Sequence, residues 1–322
     1  MKAIVYKKYG SPDVLEFKEI EKPVPKDNEV LIKVHATSIN DWDWGLLRGK
    51  PFMVRLMGDG LLKPKKKILG ADIAGRIETV GKNVEQFKSG DDVFGDISGC
   101  AWGGFAEYVC ARENAITIKP AGLTFEEAAA VPQAAILALQ GLRRKGKVWS
   151  DQKVLINGAG GGAGTFAVQI AKSFDAVVSG VDSTRKMDIM RSIGADHVID
   201  YTEEDFTKNG QRYDLILDMA AHHSIFDYKR ALSPEGIYVM EGGATARIFQ
   251  GMLLGPLISM TGSKKMGLLI HKPNKDLDFV KELLETGKVA PIIDRRYPLS
   301  EVAEALRYFG EGKARGKIVI TV

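Results

Sequence analysis

Residues Gly158–Gly164 are all glycine or alanine, set between a short apolar run and a helical pattern. Before them, Val154–Ile156 reads as a strand that ends at Asn157. After them, Phe166, Ile170 and Phe174 recur at helical spacing, with Ala167 and Ala171 beside them. Val177–Val181 then reads as a second strand closed by Asp182. A strand, a tight glycine turn, a helix and a second strand make the opening unit of a parallel, nucleotide-binding sheet.

The chemistry of such a turn needs this composition. Unpaired N–H groups at a helix N-terminus attract a diphosphate, and the helix dipole adds to the pull. A β-carbon at the closest approach would hold the ligand away, so glycine is required there. Against the pattern G-x-G-x-x-G, the best register is Ala159, Gly161 and Gly164, with Gly162 and Ala163 between them. Gly158 and Gly160 leave that register open by one. No Gly-Lys-Ser/Thr follows, so terminal phosphates and magnesium have no ligands. The expected ligand is a dinucleotide.

The chain has 322 residues, enough for two domains with separate cores. A net charge of +4 is too mild to argue for nucleic acid, and no aromatic-studded basic stripe accompanies it. The densest cationic run, Lys63–Lys67, reads as a solvated loop. Only Cys100 and Cys110 occur, so no disulfide framework is implied and a cytoplasmic setting fits. The N-terminal MKAIVYKKYG breaks into charge too early for a signal peptide. The most apolar stretch, Ile248–Met260, is too short to span a bilayer and carries Gln250 and Pro256; it is expected to be buried or dimer-facing.

Residues 1–123 alternate in short apolar runs punctuated by Gly, Pro and Asn, the pattern of a β-rich domain. From Thr124 the period lengthens. Thr124 with Glu127 forms a capping-box pattern ahead of a helix. Strands and helices then alternate through residues 124–261, which predicts a doubly wound parallel sheet. Beyond residue 261 the alternation lapses, and residues 262–322 end in the apolar strand GKIVITV. That strand is expected to return to the first domain, leaving the nucleotide domain inserted.

Several ordered motifs carry a resemblance. They are Ser38–Trp44 (SINDWDW), Leu69–Gly75 (LGADIAG), Gly103–Val109 (GGFAEYV), the glycine loop, Gly194-Ala195-Asp196 and Gly316–Val319 (GKIV). Together they resemble the medium-chain dehydrogenase/reductase superfamily, in its zinc-free branch of quinone oxidoreductases and alkenal or enone reductases. The resemblance implies a GroES-like β-rich catalytic domain plus a Rossmann domain, an α/β fold, and commonly a homodimer.

Metal chemistry bears on the branch. A catalytic zinc needs three ligands from Cys, His and acid, with an open fourth position. In the zinc-dependent relatives a cysteine falls where this chain has Asn40, and a His-Glu pair where it has Ala71-Asp72. Alanine cannot ligate and asparagine is a poor zinc ligand, so no zinc is expected. Without a Lewis acid, the accessible reaction is hydride transfer to an acceptor already electrophilic: a quinone or the β-carbon of an enone. The resemblance makes Asn40 the residue facing the nicotinamide ribose or the substrate oxygen, positioned by Asp43, although an Asn-x-x-Asp pattern also caps a helix over Trp42–Leu47. Relatives often carry a tyrosine before proline shortly afterwards; here Lys50 precedes Pro51, so Lys50 or water would return the proton. The resemblance also puts Ala220, Gly242, Gly243 and Lys317 at the cofactor.

Two signals pull the cofactor choice apart. Asp182 lies about where an acid accepts from ribose hydroxyls and repels a 2′-phosphate, which favours NADH. Ser183, Arg185 and Lys186 follow at once, a cluster suited to a phosphate, which favours NADPH. Ser-Thr-Arg at this place resembles the NADPH-dependent relatives, and NADP(H) is the expected cofactor if Asp182 turns to Lys186 or caps the helix. The competing functions are a zinc-type alcohol dehydrogenase and a catalytically silent NADPH-binding protein.

Overall fold

The computed structural model describes residues 1–56, 60–100 and 102–322. Two compact units result: one holds residues 1–133, 273–285 and 291–322, the other residues 134–272 and 286–290. Relative to the expected boundaries, the first unit extends ten residues further, to Gln133, and the second runs past Thr261 to Lys272.

The first unit contains β1 (Lys2–Val5), β2 (Glu16–Glu19), β3 (Glu29–Ser38), β4 (Asp72–Val80), β5 (Asp92–Asp96), β6 (Tyr108–Arg112) and β7 (Thr117–Ile118). The second contributes β8 (Lys153–Asn157), β9 (Val177–Asp182), β10 (His197–Asp200), β11 (Tyr213–Asp218), β12 (Leu232–Met240) and β13 (Lys265–Leu268). The chain then returns to the first with β14 (Ile293–Pro298) and β15 (Lys317–Thr321).

In the first unit, β1 and β2 form a small antiparallel ribbon. The main sheet runs β14-β15-β3-β4-β5-β7, with β6 also on β3. The C-terminal strand therefore does come back: β15 lies antiparallel to β3, Val319 opposite Ser38. Burial drives this return, because Lys317–Ile320 are buried throughout. The start of β4 pairs with the end of β3, Ser38 opposite Asp72, so Asp72 sits beside the chain as it turns toward Asn40.

In the second unit, six parallel strands are ordered β10-β9-β8-β11-β12-β13. This is the doubly wound order, with its reversal between β8 and β11, where open α/β sheets take ligands. Val154, Leu155, Ile156, Leu215, Ile216 and Leu217 are shielded from solvent, as central strands covered on both faces must be. β13 was not expected from the pattern. It supplies the sixth strand and an open sheet edge.

The helix expected to start at Thr124 does so, with Thr124 N–H bonded to the Glu127 carboxylate and Glu127 N–H to the Thr124 hydroxyl. It stops at Ala129, and Pro132–Leu139 begins a second helix. Pro132 has no N–H to continue the first. The Gln133 N–H is instead taken by Asp72 Oδ1 at 3.0 Å. Gln140–Lys145 then winds as a wider, π-type turn.

Candidate functional site

The glycine turn leaves the end of β8 and opens the helix Gly162–Ser173. Its glycines are needed for two distinct reasons. Gly158 has φ +86°, a conformation side chains rarely adopt. A β-carbon on Gly164 would stand 2.0 Å from Gly158 O and 2.7 Å from Ala159 Cα, both backbone. Gly158 thus makes the sharp turn that the first fingerprint glycine usually makes, and the alanine at 159 is buried against Gly180. The amides of Gly162, Ala163 and Gly164 open the helix with no preceding carbonyl of that helix to bond them. Helix N-termini of this kind suit an anion, because free N–H groups and the helix dipole point the same way.

Asp182, at the end of β9, is buried. Its carboxylate accepts from Gly160 N–H at 3.1 Å and from Ser183 N–H at 2.8 Å, and pairs with Lys186 Nζ at 3.4 Å. The acid is therefore held inward by the loop and by Lys186. Arg185 is exposed beside it. The Thr184 hydroxyl is bonded to Asp200.

A second buried acid fixes the loop from behind. Asp218 accepts from Asn157 Nδ2 at 2.8 Å, Ala220 N–H at 3.1 Å and the Tyr238 hydroxyl at 2.8 Å. Asn157 also donates to Ala220 O at 3.2 Å, so the residue before the glycine turn and the loop after β11 are tied together. Burial raises the Asp218 carboxyl above its ordinary value, and these donors pull it back. Beyond β12, Gly243 bridges to Ala221; a β-carbon there would meet Ala221 N at 2.4 Å. Gly242 O accepts from Ala221 N–H at 3.1 Å. Ala220, Gly242 and Gly243 are thereby gathered at one end of the sheet. The neighbouring Glu241 carboxyl has both oxygens buried without a donor among the described residues. Burial, then the nearby Asp218, raises it well above its ordinary value.

The first unit holds a separate polar cluster around Asn40. Asn40 precedes the helix Asp41–Arg48 and is buried. Its Oδ1 accepts from Lys317 Nζ at 2.5 Å, and its Nδ2 donates to Asp72 Oδ2 at 2.9 Å. Lys317 Nζ also reaches Ile39 O at 3.1 Å and Asp72 Oδ2 at 3.5 Å. Ser38 Oγ donates to the same carboxylate oxygen at 3.2 Å. Asp43 is wholly buried, accepting from Asn40 N–H and Gly70 N–H at 2.9 Å each. It caps the helix and pins the Gly70 turn.

Burial governs the charges here. It pushes Asp43 up to about 7, its two amide donors opposing the rise. It pushes Asp72 up to about 6, with Lys317 opposing. It also weakens the Lys317 ammonium, against the pull of Asp72 and Asp43.

Lys317, expected at the cofactor, has its ammonium engaged by three oxygens of its own unit. Lys50 is exposed at the far end of the helix from Asn40 and takes no part in the cluster. Three residues went unassigned in the sequence: Asp72 as the centre of the cluster, Asp218 as the anchor behind the loop, and Gln133. The Gln133 Nε2 is buried with no acceptor among the described residues. The two acids each carry a readable signal: Asp218 closes the apolar run Leu215–Leu217, and Asp72 opens β4 ahead of Ile73 and Ala74.

The donor set does not suit zinc. Among the described residues no three His, Cys, Asp or Glu side chains come together to hold a metal ion. At the positions where the zinc-dependent relatives carry ligands, Ala71 offers none, and Asn40 and Asp72 are bonded to each other and to Lys317.

Two family models match the chain: the alcohol dehydrogenase GroES-like domain over residues 26–121 and the zinc-binding dehydrogenase over residues 193–320. Among curated proteins, a chloroplast envelope quinone oxidoreductase homolog of Arabidopsis thaliana is 32% identical, covering 99% of this chain and 98% of its own length. A 2-methylene-furan-3-one reductase of Solanum lycopersicum is 33% identical, covering 99% and 79%. The solved quinone oxidoreductase of Coxiella burnetii superposes with a TM-score of 0.88 at 29% identity, covering 100% of this chain and 99% of its own. A GroES-like sheet domain, a Rossmann-like parallel sheet and near full-length relatives converge on one assignment: the chain is an NAD(P)H oxidoreductase family member of the medium-chain dehydrogenase/reductase superfamily, related to quinone oxidoreductases and enone reductases.

Proposed function

We propose that this chain transfers hydride from NADPH to a quinone or to the β-carbon of an α,β-unsaturated carbonyl, without zinc. The observation that carries the cofactor choice is the Asp182–Lys186 pair. An acid held inward by loop amides and a lysine no longer repels a 2′-phosphate, and Arg185 stands exposed next to it. Ser183, Arg185 and Lys186 take that phosphate, the amides of Gly162–Gly164 take the diphosphate, and Ala220, Gly242 and Gly243 border the nicotinamide. The bound nicotinamide supplies the hydride. Independence from zinc is supported by the donor set, since the residues at the ligand positions hold one another. An acceptor of this kind is already electrophilic, so hydrogen-bond donors suffice for the oxygen charge that develops. Asn40, oriented by Asp43, Asp72 and Lys317, serves as such a donor, and water returns the proton.

We also propose a homodimer, formed on the second unit. The helix Thr245–Thr261 leaves Phe249, Met252, Leu253, Leu257 and Met260 exposed along one face, beside the open edge of β13. Nearby Lys264 is turned onto the carbonyls of Lys229 and Leu232. A cytoplasmic setting is supported by Cys100 and Cys110, both free thiols.

The test is NADPH and NADH oxidation against a panel of quinones and enones, with Arg185→Ala alongside the native chain. Loss of a charged phosphate contact should lower kcat/KM for NADPH about tenfold or more and leave NADH unchanged. An unaltered preference rejects the phosphate assignment, and tight NADPH binding with no turnover on any acceptor rejects the enzyme.

A further inference from the structure

On the first unit, two neighbouring runs expose large apolar side chains. Phe52, Met53 and Leu56 lie on one, Leu61 and Leu62 on the other, the last 89% exposed. The runs are stitched to one strip of chain. The Tyr9 hydroxyl donates to Gly60 O at 2.6 Å, and the Arg55 guanidinium stacks on the Tyr9 ring at 4.4 Å and reaches the Phe52 ring at 6.0 Å. Tyr6 N–H, just before, donates to Lys67 O at 3.0 Å. Beneath them Tyr6, Val54 and Leu69 belong to one buried core cluster, so the strip and both runs rest on a folded base.

Exposed cations flank these runs along the chain. Lys50, Lys63, Lys65 and Lys67 are exposed, as are Lys7 and Lys8 on the strip itself. In sequence, residues 50–67 contain six Lys or Arg against the single acid Asp59. Isolated exposed leucines are ordinary on a protein surface; five large exposed apolar side chains on two neighbouring runs flanked by exposed lysines are not. That pairing matches an interface with anionic lipid, where apolar tips enter the headgroup layer and lysines meet its negative potential. The apolar helix face of the second unit differs in this respect, having its adjacent lysine turned onto carbonyls.

We propose that residues 50–67, as far as they are described, together with Tyr6–Tyr9 form a docking surface for an anionic membrane, which the chain visits without spanning. No helix among the described residues is long and apolar enough to cross a bilayer, so the contact is peripheral. An acidic protein or a nucleic acid would use the lysines but not Leu61 and Leu62; the exposed apolar tips favour lipid.

The experiment is co-sedimentation of the full chain with phosphatidylglycerol vesicles and with phosphatidylcholine vesicles. Binding is expected to the first, much weaker binding to the second, and release of the bound protein by salt. Leu61→Glu with Leu62→Glu should lower the bound fraction about tenfold or more, and Lys65→Ala with Lys67→Ala should lower it about fivefold per lysine. Both variants should keep native NADPH affinity, which reports intact folding independently of vesicles and of turnover. The proposal is overturned by absence of sedimentation with phosphatidylglycerol, or by equal binding to both lipids. It is equally overturned if a DNA oligonucleotide competes fully while the leucine variant binds vesicles normally. A leucine variant that raises the KM for acceptor while the native chain ignores vesicles would make the patch a substrate lip and end the membrane reading.

Discussion

Lys317→Met should cost about 3–5 kcal/mol of stability, the usual result of removing one partner from a buried charge cluster. Lys317 is 2% exposed and Asp72 fully buried, and the ammonium is the only cation bonded to that carboxylate among the described residues. Without it, Asp72 keeps the Ser38, Asn40 and Gln133 donors but loses its counterion. Asn40 Oδ1 loses its donor as well. The check is the urea midpoint of the native and variant chains, read together with NADPH affinity. Asp72→Asn added to Lys317→Met should return a substantial part of the loss, because removing both charges of a buried pair costs far less than removing one. The affinity reading separates two roles. A stable variant that binds NADPH weakly would restore Lys317 to the cofactor, where the family resemblance had set it; an unstable one makes it the internal counterion of the catalytic unit.

Gly164→Ala is expected to abolish dinucleotide binding in the concentration range where the native chain saturates. Its β-carbon would lie 2.0 Å from Gly158 O, and that atom belongs to the backbone of the glycine turn itself. No rotamer change relieves such a contact, so the turn and the helix must separate. Overpacking a tight core commonly costs about 1–3 kcal/mol. Here the whole displacement falls on the cradle, and a loss of about a hundredfold or more in NADPH affinity follows. Fluorescence titration with NADPH measures it. Native affinity in this variant would mean that the turn does not hold the diphosphate.

The cofactor unit was legible because each of its demands is local. A positive-φ turn needs Gly158, and a helix packed on its own loop needs Gly164. The Asn40 to Asp43 spacing was read both as a site and as a cap, and the cap geometry is present. The rest depended on distant chain segments. Lys317 meets Asp72 only because β15 returns beside β3, and Gln133 reaches it from 61 residues along the chain, so spacing carried no sign of their cluster. β13 escaped because a four-residue strand at a sheet edge leaves little period to read. The break between the helices Phe125–Ala129 and Pro132–Leu139 is masked by alanines that continue across Pro132, whose missing N–H cannot extend the first.

Acceptor reduction by metal-stripped protein tests the central claim most directly. The chain is dialysed against a strong chelator, its zinc content measured, and NADPH oxidation followed with a quinone and with an enone. Hydride transfer that relies on loop-held dinucleotide and hydrogen-bond donors predicts the same kcat before and after stripping. Activity lost on chelation and restored by added zinc would contradict it.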